Sequence, residues 1–352
     1  MERFPTAREA LHLLKEELEK AGIQDADAES RIILEWICGI DRVSYFMDQN
    51  ALISPEKAEE LQEVLKKRTK RIPLQYLMRT TEFMGLPFYV DERVLIPRPD
   101  TECLVEYALE LLKGMEASDK TMNELRVLDL CTGSGCIGIS ISKFCPDARV
   151  TLADISEEAL EVAERNADHL HARAELVRGD LFEALKADMT KTGAVGRTER
   201  TERRQAAIEK AGRTERTERR QAAIEEAGRT EAEEANRVKA AESRKVCRFH
   251  MIVSNPPYIP TGTIGTLMPE VKDYEPVLAL DGKEDGLAFY RRIISEAGDY
   301  LYPGGWLLFE IGMDQGEDLR KLFEQAGYRD VTVRQDLAGL DRIAAGRLPE
   351  TD

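Results

Sequence analysis

The sequence predicts an α/β protein, a mostly parallel sheet covered by helices, preceded by a small all-helical domain. Two observations predict it. From Thr101 onward, apolar runs of strand length alternate with helical patterns, and such alternation specifies a parallel sheet with helices on its faces. Before residue 70 the apolar spacing is helical throughout, with the 3.6-residue period of amphipathic helices. The 352 residues suit about two domains and a sizeable core. Their expected bounds are a helical domain over 1–72, a linker over 73–100 and an α/β domain over 101–352.

In the first domain, Thr6-Ala-Arg-Glu9 is a capping-box pattern, in which each side chain satisfies the other's backbone N–H. Leu11, Leu14 and Leu18 follow at helical spacing, and Gly22 stops the run. A second helix is expected over 26–38, with Ile33, Trp36 and Ile37 as core candidates. Ser54-Pro55 opens a third through Thr69, Ser as N-cap and Pro in the first turn. The linker carries Pro73, Pro87, Pro97 and Pro99, and its runs 88–90 and 94–96 are expected to pair as a short hairpin.

The α/β domain reads as helix 101–113, strand 125–130, helix 136–144, strand 149–153, helix 156–167 and strand 174–179. Strand 249–254, helix 286–299, strand 305–311 and helix 315–326 follow. The closing runs 331–334 and 342–344 flank a turn at Gly339 and read as an antiparallel hairpin on the sheet edge.

One segment, 188–245, interrupts this order. Residues 196–211 recur as 212–227 with one difference, and a decayed third copy begins at Gly228. The segment holds 15 Lys and Arg against 12 Asp and Glu, a net +3, so the rest of the chain carries −16 − 3 = −19. Each copy offers little beyond one Ile and a few Ala to bury. It is read as a charged surface insertion between strands; a basic arm for RNA or ribosomes is the alternative.

Composition excludes several classes. A net charge of −16 argues against a long basic surface gripping nucleic acid. The six cysteines contain no Cys-x-x-Cys pair and the four histidines share no ligand spacing with them, so reduced thiols and no metal are expected. No apolar run approaches the roughly 18 residues of a membrane span, and the first twenty residues lack a signal-peptide core. A cytoplasmic monomer is expected.

Chemistry gathers at strand ends. Asn255-Pro256-Pro257-Tyr258 follows the run 251–254. A planar amide or aromatic amine is a poor nucleophile because its lone pair is delocalised. Acceptors that take both N–H bonds hold it against an activated methyl by orientation and electrostatics. Asn255 offers a side-chain carbonyl, Pro256 a backbone carbonyl stiffened by two prolines, and Tyr258 a flat face. Earlier, Cys131-Thr-Gly-Ser-Gly135 joins a strand to a helix. Gly133 and Gly135 allow positive φ and close approach of backbone to a ligand, and the helix start favours an anion. The spacing matches neither a Walker loop nor a full dinucleotide fingerprint. Asp154 closes the next strand, where a carboxylate accepts ribose hydroxyls. Asp180 closes the third, followed by Leu181-Phe182 as an apolar wall for an adenine. For each aspartate taken alone, a helix N-cap is the competing reading.

Together these features resemble the class I S-adenosylmethionine-dependent methyltransferases, and more closely the HemK/PrmC family. The marks are Pro73-Leu-Gln-Tyr76, Glu82-Phe-Met-Gly-Leu-Pro-Phe88, Ile96-Pro-Arg-Pro-Asp-Thr-Glu102, the Gly loop, Asn255-Pro-Pro-Tyr-Ile259, Glu275-Pro-Val-Leu-Ala-Leu280, Glu310-Ile-Gly312 and the run 336–342. The resemblance covers nearly the whole chain apart from the insertion. It implies a Rossmann-like domain with a seven-stranded sheet and S-adenosyl-L-methionine as co-substrate. It implies methylation of the glutamine amide in the Gly-Gly-Gln motif of peptide chain release factors. Cofactor contacts would come from Cys131, Thr132, Gly133, Ser134, Gly135, Asp154, Asp180, Leu181 and Asn255, with Arg98 and Thr101. Substrate contacts would come from Asn255, Pro256, Pro257, Tyr258 and Phe83, of which Asn255, Pro256 and Tyr258 are catalytic. A ribosomal-protein glutamine, or an adenine-N(6) of DNA flipped from its duplex, are the alternative acceptors. Two departures stand out: Arg79 and Cys131 occupy positions where the family commonly has Gly.

Overall fold

A computed structural model describes residues 6–118, 124–188, 248–336 and 338–350. The repeats of the 188–245 insertion lie outside the described residues.

The helical domain holds α1 (Ala7–Lys20), α2 (Ala26–Cys38), α3 (Arg42–Met47), α4 (Pro55–Arg68) and α5 (Leu74–Met78). The capping box forms as read: the Thr6 hydroxyl accepts from the Glu9 amide while the Glu9 carboxylate accepts from the Thr6 amide at 2.9 Å. Gly39 ends α2 at φ 69°, and Ser54 caps α4 ahead of Pro55. Leu14, Leu18, Ile33, Leu34, Leu61 and Leu74 share one buried cluster, with Leu77 and Met78 packed against it. The domain's core therefore runs past the expected bound at 72. Trp36 is a correction, since it is 38% exposed and outside that core.

The linker hairpin also differs from expectation. It forms between β1 (Thr81–Phe83) and β2 (Leu86–Phe88), with Phe83 opposite Leu86. Met84 and Gly85 turn it at φ 53° and 70°, the left-handed pair that a two-residue hairpin turn requires. Val90, Val94 and Ile96 do not pair as a strand partner. They bury against Tyr76, Ala159 and Val162.

α6 (Pro99–Ser118) opens the second domain. Its sheet contains β3 (Leu125–Leu130), β4 (Ala148–Asp154), β5 (Ala174–Arg178), β6 (Phe249–Ser254), β7 (Leu301–Glu310), β8 (Arg329–Gln335) and β9 (Asp341–Arg347), ordered 5-4-3-6-7-9-8. Strands 3 to 7 are parallel and β9 is antiparallel to both its neighbours. The expected edge hairpin is thus present. α7 (Cys136–Phe144) and α8 (Glu157–His169) make the crossovers on one side of β3; the helix Ala288–Tyr300 joins β6 to β7 on the other.

Two apolar clusters fill the sheet's faces, one around Val127, Ile139 and Val150, the other around Leu128, Ile252, Tyr290 and Phe309. Near-continuous burial of β3 and β6 is what a parallel strand covered on both faces demands. The chain winds outward from β3 through β4 and β5, then returns to β6 on the other side. Ligands of such sheets bind where the order reverses, outside the carboxyl ends of the strands. That point lies between β3 and β6, whose ends carry the Gly loop and Asn255. Among the described residues no helix is long and apolar enough to cross a membrane.

Candidate active site

The loop after β3 turns on three residues of positive φ, Cys131 (59°), Gly133 (55°) and Gly135 (82°). At φ 82° position 135 favours Gly for its conformation, and a Cβ there would press on the flexible tip of Ile139, 2.6 Å from its Cδ1. The Thr132 amide donates to the Ala153 carbonyl at 3.1 Å, tying the loop to β4.

Beneath the loop, Asp129 Oδ2 accepts from the Thr132 hydroxyl at 2.6 Å and from the Gly138 amide at 2.9 Å. Asp129 is wholly buried and its Oδ1 has no partner. Burial pushes its carboxyl up to about 7, because the charged form has lost its water. Asn166, also fully buried, donates to the carbonyls of Ser134 and Tyr89 and accepts from the Tyr89 amide. It joins loop to linker. Neither residue stands out in the sequence, where a lone Asp inside an apolar run and an Asn inside a helix give no pattern.

At the end of β4, Asp154 accepts from the Gly133 amide at Oδ2 and from the Ser156 amide at Oδ1, both at 2.9 Å. A carboxylate has about four lone-pair sites, so acceptor capacity remains. Burial raises its pKa against the pull of these amides. Asp180 is engaged by Arg292, Nη2 to Oδ2 2.9 Å. The two form an ion pair at the rim.

A cavity of about 440 Å³ opens over these strand ends. Its lining brings together Cys131, Thr132, Gly133, Ser134, Asp154, Asp180, Leu181, Arg98, Thr101, Asn255 and Pro257. Gly135, Pro256, Tyr258 and Phe83 fall outside it. Gly135 acts through the turn. Pro256 is buried, and the half-buried Tyr258 hydroxyl points to Glu310 Oε1 at 3.4 Å. Two expectations are corrected. Phe83 is 1% exposed and packs edge-on against Phe88 at 6.0 Å, so it has no face for a substrate. Phe182 is fully buried and stacks on Tyr300 at 4.5 Å, leaving Leu181 alone of that pair at the cavity.

Asn255 follows the last residue of β6, and its carboxamide makes no hydrogen bond among the described residues. Behind it, Gln315 accepts from the Gly312 amide at 2.9 Å and donates to the Tyr258 carbonyl at 3.1 Å. A Cβ at Gly286 would meet that carbonyl at 2.3 Å. The segment is gripped from below while its first side chain is left free.

Residues 9–78 match the model of the PrmC N-terminal domain and residues 109–192 that of the methyltransferase small domain. Curated proteins named release factor glutamine methyltransferase resemble nearly the whole chain. The one from Geobacter sulfurreducens is 34% identical over 97% of both chains. The chain belongs to the release factor glutamine methyltransferase family. The Bordetella pertussis relative is 34% identical over 96% of this chain and 99% of its own, and the Clostridium acetobutylicum relative 33% over 95% and 94%.

As a member of that family the protein is a methyltransferase, and the two departures from its common pattern gain a structural meaning. Arg79 ends α5 at φ 57° and Cys131 stands at 59°. Both are left-handed positions that favour Gly. Burial pushes the Cys131 thiol far up, so it stays protonated and packs against the second apolar cluster.

Proposed function

We propose that the enzyme transfers a methyl group from S-adenosylmethionine to the side-chain amide nitrogen of the glutamine in the Gly-Gly-Gln motif of peptide chain release factors. The observation that carries this reading is the free Asn255 carboxamide, on the cavity wall at the strand end beside the Gly loop. The names of the relatives supply the protein class of the acceptor.

The donor set suits the cofactor. Thr132, Gly133 and Ser134 line the cavity beside a helix start, Asp154 keeps acceptor capacity for a ribose diol, and Leu181 offers an apolar edge for an adenine. A cavity of about 440 Å³ lies within the usual size of small-molecule sites. When bound, S-adenosylmethionine supplies a methyl on a sulfonium sulfur, whose departure leaves a neutral thioether.

The chain's own contribution is orientation. Asn255 Oδ1 and the Pro256 carbonyl accept the two N–H bonds of the acceptor amide, and Tyr258 gives it a flat support. These groups do not titrate near neutral pH, so their effect is to align the nitrogen and stabilise the positive charge it gains as the N–C bond forms and the C–S bond breaks. One N–H proton then leaves to solvent, giving the neutral N-methyl amide. Gln315 fixes the Tyr258 carbonyl and Glu310 lies by its hydroxyl. On this reading the partner is a release factor, met as a folded protein in the cytoplasm.

The test is transfer of label from methyl-labelled S-adenosylmethionine to a purified release factor. Label should enter the native factor and fail to enter one whose Gly-Gly-Gln glutamine is changed to alanine. Equal labelling of both would overturn the proposed acceptor.

A further inference from the structure

The segment that runs from Tyr258 to the helix Ala288–Tyr300 supplies a wall of the cavity through Pro276, Val277, Leu278 and Ala279. Its far end is tied to Ile259, whose amide donates to the Leu280 carbonyl at 3.1 Å and whose carbonyl accepts from the Gly282 amide at 2.8 Å. Its near end is held from outside the sheet. Glu270 accepts from Arg68 Nη2 at 2.9 Å and from Arg71 Nη2 at 2.5 Å. The Tyr274 hydroxyl donates to the Lys70 carbonyl at 2.7 Å. Arg98 Nη2 donates to both oxygens of Glu275 at 2.6 and 2.8 Å.

The helical side of this clasp is itself tied down by hydrogen bonds. Arg68 is 3% exposed and donates twice to Glu29, at 2.6 and 3.0 Å. Arg71 donates to the carbonyls of Ala21 and Gly22 at 3.0 and 2.6 Å. Two arginines anchored in the helical core thus converge on one carboxylate, six residues before the cavity wall begins. Ion pairs of this kind are poor evidence for net stability, since desolvation offsets attraction, but their geometry fixes where a segment lies. Val277 and Leu278 remain 57% and 53% exposed, apolar surface at the mouth for a ligand to cover.

We propose that Glu270 is a positioning residue for the methyl donor: through Arg68 and Arg71 it makes the helical domain set the wall 276–279 of the cofactor cavity. The helical domain is then part of the cofactor site as well as a second domain. Anything that binds that domain and shifts α4 changes cofactor affinity, and the effect is reciprocal. The inference rests on the reading that the cavity takes S-adenosylmethionine.

Glu270 is also the member that can be removed most safely. Without it Arg68 keeps Glu29. Arg71, its side chain 18% exposed, loses its one carboxylate among the described residues and keeps the carbonyls of Ala21 and Gly22, a smaller loss than removing either arginine. The experiment compares the full-length wild type with Glu270→Ala and Glu270→Gln, each confirmed folded by circular dichroism. S-adenosylmethionine affinity is measured by calorimetry, and amide exchange over 276–281 without ligand by mass spectrometry. Glu270→Ala should weaken affinity about five-fold or more, a typical coupling between sites, and speed exchange in that segment; Glu270→Gln should fall between it and wild type. In turnover, the KM for S-adenosylmethionine should rise more than kcat falls. If Glu270→Ala does not fold, Tyr274→Phe, which loses only one hydrogen bond, should show the same two changes at smaller size. A folded variant with unchanged affinity and unchanged exchange overturns the proposal. Wild type failing to bind S-adenosylmethionine would instead overturn the reading of the cavity.

Discussion

The hydroxyl of Ser254 donates to the carbonyl of Leu130 at 2.7 Å, joining the ends of β6 and β3 where the two halves of the site begin. The residue after Leu130 starts the Gly loop, and the residue after Ser254 is Asn255. Both partners are fully buried. The Gly loop and Asn255 therefore leave the sheet from one buried contact, and on the proposed reading one holds the methyl donor and the other the acceptor.

Asn255→Ala should exploit that separation. Methyl transfer should fall by roughly 2–4 kcal/mol in activation free energy, the scale for removing one oriented polar group, while cofactor affinity stays within a few-fold. Single-turnover rates and calorimetry on the same preparation check both. A variant retaining more than about a tenth of the rate would remove Asn255 from its assigned place.

Asp154→Ala should act in the opposite sense. It removes a charged acceptor worth about 1.5–3 kcal/mol and also frees the Gly133 and Ser156 amides it now receives. Cofactor affinity should fall about ten-fold or more, with a drop in Tm. An unchanged dissociation constant would place the ribose contact elsewhere.

At Arg79 the expected order of stability is inverted relative to a helix interior. Its φ of 57° costs any residue with a Cβ, and its ion pair with Glu92 is exposed, hence worth about 0–1 kcal/mol. Arg79→Gly should be more stable than Arg79→Ala by about 1 kcal/mol, read from denaturant midpoints. Equal midpoints would mean that the turn relaxes when the side chain is cut.

Asp129 gives a pH signature. Its ordinary value is 3.8, and burial pushes it up to about 7 in the fold. Between these values the folded chain binds the proton and the unfolded chain does not, so stability falls as pH rises. The favourable contribution is complete below 3.8 and lost through about 7. Asp129→Asn, neutral throughout, should flatten that part of the Tm profile. Parallel profiles for the two proteins would show that the carboxyl is ionised in the fold.

The parts of the fold that could be read in advance were those written in local chemistry. Thr6 and Glu9, Ser54 and Pro55, and the alternation after Thr101 each name their own structure. So do Gly133, Asp154 and Asn255, because loop conformation and strand-end position follow from neighbours in the chain. What escaped depends on partners far away. The bridge runs 88–90 and 94–96 have strand composition, yet the stronger turn signal of Met84-Gly85 took the hairpin one strand earlier. Phe83, Phe182 and Trp36 are large and apolar, and composition does not say which core claims them or whether any does. Asp129, Asn166, Glu270 and Gln315 act by holding other residues, in Glu270's case Arg68, 202 positions away. Such roles have no sequence spacing.

The identity of the methylated atom tests the proposed function most directly. Purified enzyme, S-adenosylmethionine and a release factor should be incubated together, and the factor digested and sequenced by tandem mass spectrometry. The predicted result is a single added methyl on the side-chain nitrogen of the Gly-Gly-Gln glutamine, present with wild-type enzyme and nearly absent with Asn255→Ala. A methyl on any other residue, or an unmodified factor in the presence of enzyme that binds the cofactor, would contradict it.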